Sequence, residues 1–138
     1  MYSSCQNLSH HYVFSCCRAA KLQICYLDTN SFDGAIPITF GLLQNMKSLT
    51  IYDNSLISSI PSELGNLQFL EHLIISGNKL SGTVPLEITM LPMLEHLWLK
   101  GNDLVGSVPT EICQRGDNSI DIQVDCNAVN CTCCKECM

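Results

Sequence analysis

Apolar and polar positions follow one another along the chain in a repeating unit of constant length that occurs four times. The same point of each unit is marked by an asparagine: Asn30, Asn54, Asn78 and Asn102. A proline follows each of them seven residues later, and apolar columns lie between, as in Phe32, Leu56, Leu80 and Leu104. A fixed period such as the interval from Asn30 to Asn54 predicts a solenoid, because one unit cannot bury its apolar face until it stacks on the next.

Each unit contains a short segment of alternating apolar residues that predicts a β-strand. In Leu73-Ile74-Ile75 the first and third side chains belong to apolar columns and the middle one faces the other way. One such strand per unit, stacked at ~4.8 Å, gives a parallel sheet. The asparagine follows the strand, where its amide can bond to backbone groups of turns in adjacent units. We therefore predict that the four asparagines form a structural ladder.

A glycine recurs four residues after the asparagine in three of the four units. These residues are Gly34, Gly82 and Gly106, and Ser58 takes the same column in the second unit. Glycine at a fixed point of a turn indicates a tight backbone or a positive φ, which other residues adopt at a cost. The sequence therefore predicts slight strain at Ser58.

The units resemble the plant-type leucine-rich repeat, LxxLxLxxNxLxGxIPxxLGxLxx, over residues 22–112. The resemblance implies an α/β-type repeat solenoid, a right-handed coil with a short parallel sheet on its concave face and loops and 3₁₀ turns on its convex face. It also implies extracellular recognition, as in receptor ectodomains and inhibitors of cell-wall enzymes. The tail "VDCNAVNCTCC" is similar to the cysteine-rich end of diatom members of this family.

Both ends of the repeat array depart from the pattern. One period before the first clear unit, Leu8 takes the column of Phe32, so residues 1–21 are interpreted as a degenerate half-repeat acting as a cap, or as a frayed remnant of a repeat. Residues 22–112 hold the four repeats, and residues 113–138 form a cysteine-rich cap. With one inserted residue, Ile122 and Val124 take the strand columns and Asn127 the asparagine column, which predicts a fifth strand over the open edge.

Cysteine is unusually frequent, with ten in 138 residues, and its crowding in the tail predicts disulfides formed in an oxidising compartment. The candidates are Cys113, Cys126, Cys131, Cys133, Cys134 and Cys137, and their pairing stays open. A zinc site is disfavoured there because the tail has no histidine and no two separate CxxC pairs. Cys16 and Cys25 lie in apolar columns and are interpreted as small buried hydrophobes.

The strand positions that face out of the core predict a binding surface on the concave face. Aromatic side chains held on a rigid sheet are typical binding anchors. The alternative is that these side chains only cover their neighbours and bind no ligand. The candidate ligand-binding residues are Tyr26, Tyr52, His72, Ile74, His96, Trp98 and Lys100. His72 and His96 are predicted lateral neighbours from a repeated "EHL". Sequence duplication explains that repeat without a metal, so we expect no metal or cofactor and at most a weak pH response.

Composition and motifs narrow the function to recognition. A net charge of −6 disfavours nucleic-acid binding, no apolar run approaches the ~20 residues of a membrane helix, and no catalytic motif occurs. We therefore expect a non-enzymatic module that binds a protein, peptide or glycan, as part of a receptor-like protein outside the cell or on its surface. The alternatives are a secreted inhibitor of a hydrolase and a structural or adhesive module. Any export signal or membrane anchor is expected in a longer parent protein.

Overall fold

A computed structural model describes residues 2–4, 21–115 and 120–134, and twelve short strands run through these segments. In chain order they are β1 (Tyr2–Ser4), β2 (Ile24–Tyr26), β3 (Asp33–Gly34), β4 (Ser48–Thr50), β5 (Ser55–Leu56), β6 (His72–Ile74), β7 (Ser81–Gly82), β8 (His96–Trp98), β9 (Asp103–Leu104), β10 (Gly106–Ser107), β11 (Asp121–Gln123) and β12 (Val129–Asn130). From β2 onward, each stretch of about one period contributes one three-residue strand and one shorter strand, or two shorter strands after β8. This is the repeat solenoid that the sequence predicts.

The six three-residue strands form one parallel sheet in the order β1-β2-β4-β6-β8-β11. The central residues of the last five strands are buried at its core side: Cys25, Leu49, Leu73, Leu97 and Ile122. The register advances by one period at each step as far as Leu97, and the step from there to Ile122 is one residue longer, so the fifth strand and its inserted residue are confirmed. At the other end, Ser3 pairs with Cys25, a step two residues shorter than the expected period. The Leu8 and Cys16 columns lie outside the described residues.

The opposite side of the coil carries the short strand pairs and the helical turns. β3 pairs with β5, β7 with β9, and β10 with β12, all parallel. The 3₁₀ turns Ile38–Leu42, Ser62–Asn66 and Leu86–Met90 each follow a proline, and the last unit has an α-helical turn, Thr110–Cys113. Proline fits this point because its φ is preset and its missing N–H is not needed there. None of the described helical segments has the length and hydropathy needed to cross a membrane.

Asparagine side chains join consecutive units through backbone hydrogen bonds at Asn54, Asn78 and Asn102, while Asn30 Nδ2 donates to Leu27 O and Asp28 O of its own unit. Asn78 is 7% exposed, and its Nδ2 donates to Ile51 O at 2.8 Å in the preceding unit and to Ile75 O at 3.1 Å in its own. Its Oδ1 accepts from Leu56 N at 3.0 Å. Asn54 and Asn102 repeat these contacts one unit earlier and one unit later. The amide thus pairs with backbone N–H and C=O groups that the sheet leaves unpaired, and its contribution to stability stays a prediction.

The glycine column needs a left-handed backbone. Gly34, Gly82 and Gly106 have φ of +80°, +83° and +88°, and Ser58 has φ of +72°. Most residues with a Cβ avoid this region because the Cβ approaches the carbonyl oxygen. Ser58 therefore carries the backbone strain that its place in the glycine column predicts.

Disulfides fasten the C-terminal part of the coil. Cys113 pairs with Cys133, and Cys131 pairs with Cys134. Cys126 is also disulfide-bonded, whereas Cys137 lies outside the described residues. Cys25 is fully buried, as expected, but the prediction of a plain buried hydrophobe is wrong because this residue also takes part in a disulfide. A small apolar side chain fits this strand position, and a disulfide-bonded cysteine fills it as well as a free thiol does.

Candidate ligand-binding surface

The outer side of the six-stranded sheet, called the sheet face below, presents three lateral rows of side chains. Strand alternation turns the residues on either side of each buried central residue outward. The first row is Ile24, Ser48, His72, His96 and Asp121, and the second is Tyr26, Thr50, Ile74, Trp98 and Gln123. A third row follows just beyond the strands: Asp28, Tyr52, Ser76, Lys100 and Asp125. All seven candidate binding residues lie in these rows.

Four of the seven candidate residues come together at the C-terminal half of the sheet face. The rings of His72 and His96 lie 4.9 Å apart between centroids, and those of His96 and Trp98 lie 5.7 Å apart in an edge-to-face arrangement. Ile74 is the direct strand partner of Trp98. Edge-to-face contacts favour the aromatic quadrupole and hold the rings in a fixed orientation. The arrangement is a partly exposed, partly apolar patch made by adjacent strands.

The remaining three candidates lie apart from this cluster. Tyr26 is 43% exposed and Tyr52 is 37% exposed, and both belong to the N-terminal half of the face. Lys100 is exposed in the third row, one strand from Ser76. The structure thus separates the candidate set into a packed group and a looser one.

Asp121 organises the cluster, and sequence reasoning did not single it out. Its Oδ2 accepts a hydrogen bond from Trp98 Nε1 at 2.7 Å and lies 3.5 Å from His96 Nδ1. Gln123 Nε2 donates to the same oxygen at 3.4 Å. Desolvation by burial raises the pKa of Asp121, but the hydrogen bonds from Trp98 and Gln123 and the adjacent His96 imidazole outweigh it, so the pKa is lowered overall. The signal available in the sequence was the one-residue insertion, which places Asp121 in the histidine row.

Asp28 plays a corresponding part at the other half of the face, with the opposite balance. It accepts hydrogen bonds from Thr50 Oγ1 at 2.9 Å and from Tyr52 N at 3.3 Å. Burial raises the pKa of this carboxyl, and the nearby Asp53 adds to the effect, while the hydrogen bonds from Thr50 and Tyr52 oppose it. Ser48 and Thr50 are only 4% and 6% exposed, so these two row positions do not offer the outward surface that strand alternation predicts.

Among the described residues, two groups of side chains have the donor atoms to hold a metal. In the first, Cys113, Cys131 and Cys133, the sulfurs are oxidised in disulfides and are not thiolate ligands. In the second, one ligand atom each from His72, Glu95 and His96 lies within 4.8 Å of the others. His72 Nε2 is 3.9 Å from Glu95 Oε2, and both side chains are partly open to solvent. Glu95 was not among the candidates because it precedes the strand.

Comparisons with known proteins agree with this architecture. The family model described as Leucine Rich Repeat matches residues 45–67, 69–91 and 93–114. The BIR3–SERK2 complex from Arabidopsis thaliana contains a chain that is 35% identical, with a TM-score of 0.66 over 75% of this chain and 55% of that one. The plant peptide hormone receptor RGFR1 in complex with RGF2 is 36% identical, with a TM-score of 0.69 over 75% of this chain and 16% of that one.

A third solved structure is the Arabidopsis receptor kinase HAESA in complex with the peptide hormone IDA and the co-receptor SERK1. It is 32% identical, with a TM-score of 0.70 over 80% of this chain and 18% of that one. The chain therefore spans about half of the first of these three relatives and less than a fifth of the other two. No curated protein sequence matches the chain.

Proposed function

The chain belongs to the plant-type leucine-rich repeat proteins, and on that premise we propose that it is a non-enzymatic recognition module whose sheet face binds a peptide or protein. Two of the similar structures are described as receptors in complex with peptide hormones, RGF2 and IDA. Those descriptions concern the receptors themselves, and they support the same class of ligand for this chain. The repeats of residues 22–112 would supply the surface, and residues 1–21 and 113–138 would cover the two open edges of the core.

The packed cluster around Trp98 is the observation that carries this proposal. The indole is fixed by its hydrogen bond to Asp121 and by the edge contact with His96, while its face stays partly open. A side chain already held in one orientation loses little entropy when a ligand docks on it. Tryptophan in such a position is the residue type most often found to dominate binding energy.

The charges on and beside the rows favour a ligand segment with a positive charge. Carboxylates outnumber lysines: Asp28, Glu71, Glu95, Asp121 and Asp125 against Lys47 and Lys100. Lys47 Nζ is paired with Glu71 Oε1 at 2.9 Å, which neutralises much of its effect. A lysine or arginine of the ligand next to Glu95 and Asp121 would meet complementary charge and gain a cation–π contact with the indole.

An extracellular or cell-surface location fits the same proposal. Two disulfides are formed within the described tail, and Cys25 and Cys126 are also bridged. Disulfides persist in oxidising compartments and are rare in the cytosol. Peptide and protein ligands of receptors are met in the same compartment.

Selection of peptides from a displayed random library on the immobilised protein tests this function. We expect enriched peptides to be rich in lysine or arginine and to lose at least about 2 kcal/mol of binding, roughly 30-fold in Kd, when Trp98→Ala replaces the wild type. Thr83→Ala is the matched control, since Thr83 is exposed and lies outside the three rows. Equal binding of the selected peptides to the wild type and to Trp98→Ala, with folding checked by circular dichroism, would place recognition away from the sheet face.

A further inference from the structure

The histidine row supports a second kind of binding that does not depend on the proposed peptide recognition. We propose that His72, Glu95 and His96 form a site for a divalent transition-metal ion, with Zn²⁺ as the physiological candidate, and that one coordination position stays open. Two imidazole nitrogens and one carboxylate oxygen form a donor set that zinc accepts with water or a further ligand completing a tetrahedron. The sequence interpretation attributed the repeated "EHL" to duplication and expected no metal.

The parallel register brings the three ligands together without any special loop. His72 and His96 are direct partners on adjacent strands, with ring centroids 4.9 Å apart. The three ligand atoms lie within 4.8 Å of one another, whereas tetrahedral zinc needs roughly 3.3 Å between ligand atoms at its usual bond lengths. The side chains of His72, Glu95 and His96 are 37%, 62% and 38% exposed. We expect side-chain rotation to close this gap, because all three side chains are partly open to solvent.

Asp121 gives this row the support that functional metal sites show and that duplication alone does not explain. His96 Nδ1 is buried and has no hydrogen-bond partner among the described residues, although Asp121 Oδ2 is 3.5 Å away. A histidine that binds a metal through Nε2 keeps its proton on Nδ1 and donates it to a carboxylate or carbonyl behind the ring. An ion at Nε2 would fix this tautomer and draw Nδ1–H onto Asp121, which resolves the unpartnered nitrogen.

The preceding unit shows why only this row forms the site. Glu71 is the equivalent of Glu95, but its carboxylate is paired with Lys47 at 2.9 Å. The residue after Lys47 is Ser48, which is buried and has no imidazole to offer. Glu71 and Glu95 therefore form a matched pair in which only the second carboxylate approaches a histidine.

Calorimetric titration with Zn²⁺ tests the site directly. The oxidised protein is first treated with an alkylating agent, so that any remaining thiol is blocked and does not bind zinc. We expect one equivalent of zinc, loss of stoichiometric binding in His72→Gln and in His96→Gln, and weakening of about tenfold or more in Glu95→Gln. Asp121→Asn should weaken binding about 10- to 100-fold, as changes behind a ligating histidine do. Glu71→Gln, and the double change His10→Gln with His11→Gln, should leave the affinity unchanged.

Trp98 supplies a second readout that locates the ion. It is the only tryptophan in the chain, and its ring lies 5.7 Å from that of His96. Cu²⁺ binds imidazole sites more tightly than Zn²⁺ and quenches nearby indole fluorescence. We expect saturable quenching at one equivalent, reversed by a chelator, absent in His96→Gln and retained in Glu71→Gln. The exposed Glu95→Gln keeps the test informative if a histidine variant folds poorly. The proposal is overturned if zinc does not bind stoichiometrically or if its affinity is unchanged in His72→Gln, His96→Gln and Glu95→Gln.

Discussion

The two halves of the sheet face share one backbone and differ in what their side chains leave open. In the N-terminal half, on β2 and β4, Ser48 and Thr50 are buried and the Thr50 hydroxyl is bound to Asp28. In the C-terminal half, on β6, β8 and β11, the corresponding positions hold partly exposed histidines and Trp98. Because β2, β4, β6 and β8 pair in one unbroken register, the difference comes from their side chains and from the inserted residue that brings Asp121 beside Trp98. The repeat thus specifies a scaffold, and the side chains of the proposed binding surface are confined to one part of it.

Of the changes considered, opening the C-terminal cap should have the largest effect on the C-terminal half of the sheet face. β11 supplies Asp121 to the C-terminal half and lies between the cysteines of the Cys113–Cys133 bridge. Replacing both cysteines by serine should cost about 2–4 kcal/mol, as removal of such bridges commonly does, and should loosen residues 113–138 before the repeats. Hydrogen exchange and Trp98 fluorescence measure the two parts separately. Unchanged indole emission together with an unfolded tail would show that the cap does not support the cluster.

The asparagine ladder should be equally important on both sides of the boundary between the halves. Asn78 lies at that boundary, and Asn78→Ala leaves its backbone partners unpaired, with an expected loss of about 1–3 kcal/mol in the free energy of unfolding. Denaturant unfolding measures this loss, with the exposed neighbour Lys79→Ala as the control. If Asn78→Ala lost no more unfolding free energy than the control, the asparagine ladder would not contribute to stability as predicted.

Asp121 and Asp28 should contribute to stability with opposite dependence on pH, and the effect should be smaller than that of the asparagine ladder. The pKa of Asp121 is lowered from 3.8, so its contribution to stability is present above that pH and is lost as the pH falls through the folded-state pKa. The pKa of Asp28 is raised from 3.8, so its contribution is present in acid and is lost as the pH rises through the folded-state pKa. Asp121→Asn should therefore destabilise at neutral pH and converge with the wild type in acid.

Asp28→Asn should stabilise slightly at neutral pH, because the neutral amide carries no buried charge, and its oxygen would accept from Tyr52 N while its NH2 group would donate to the Thr50 hydroxyl. Thermal unfolding of both variants at a series of pH values gives the sign of each effect. The same sign for both variants at neutral pH would mean that the halves do not differ electrostatically in this way.

The smallest expected effect concerns the scaffold of the N-terminal half. Ser58→Gly should raise the free energy of unfolding by about 0.5–1 kcal/mol, since relief of the left-handed strain exceeds the added freedom of the unfolded chain. Ser59→Gly is the control, because Ser59 is not among the residues with positive φ and should lose stability instead. Chemical unfolding of the two variants side by side would contradict the strain at Ser58 if both lost stability equally.

The repeat could be predicted from sequence because its period, asparagines and prolines fix the register of Leu49, Leu73 and Leu97. The site was harder to predict, because it depends on rotamers and on departures from the period. The contact between Trp98 and Asp121 follows from the inserted residue, which shifts Asp121 into the histidine row. Asn127 keeps the asparagine column after this strand, yet it is exposed. The disulfide at Cys25 could not be predicted, because any small apolar side chain fits this column of the repeat.

The unbroken period between β2 and β8 also bears on how such a surface can change over generations. A recombination event that gains or loses one whole unit between Leu49 and Leu97 would let the neighbouring strands pair in the same register and make the same kind of asparagine bonds. Each added copy would widen the sheet face by about 4.8 Å and bring another "EHL" into line with the first two. The step from β8 to β11 is one residue longer, so the cap is not interchangeable with a repeat. The sheet face would therefore grow by one strand per added repeat, always before the C-terminal cap. Asp121 of the cap would remain beside whichever repeat comes last.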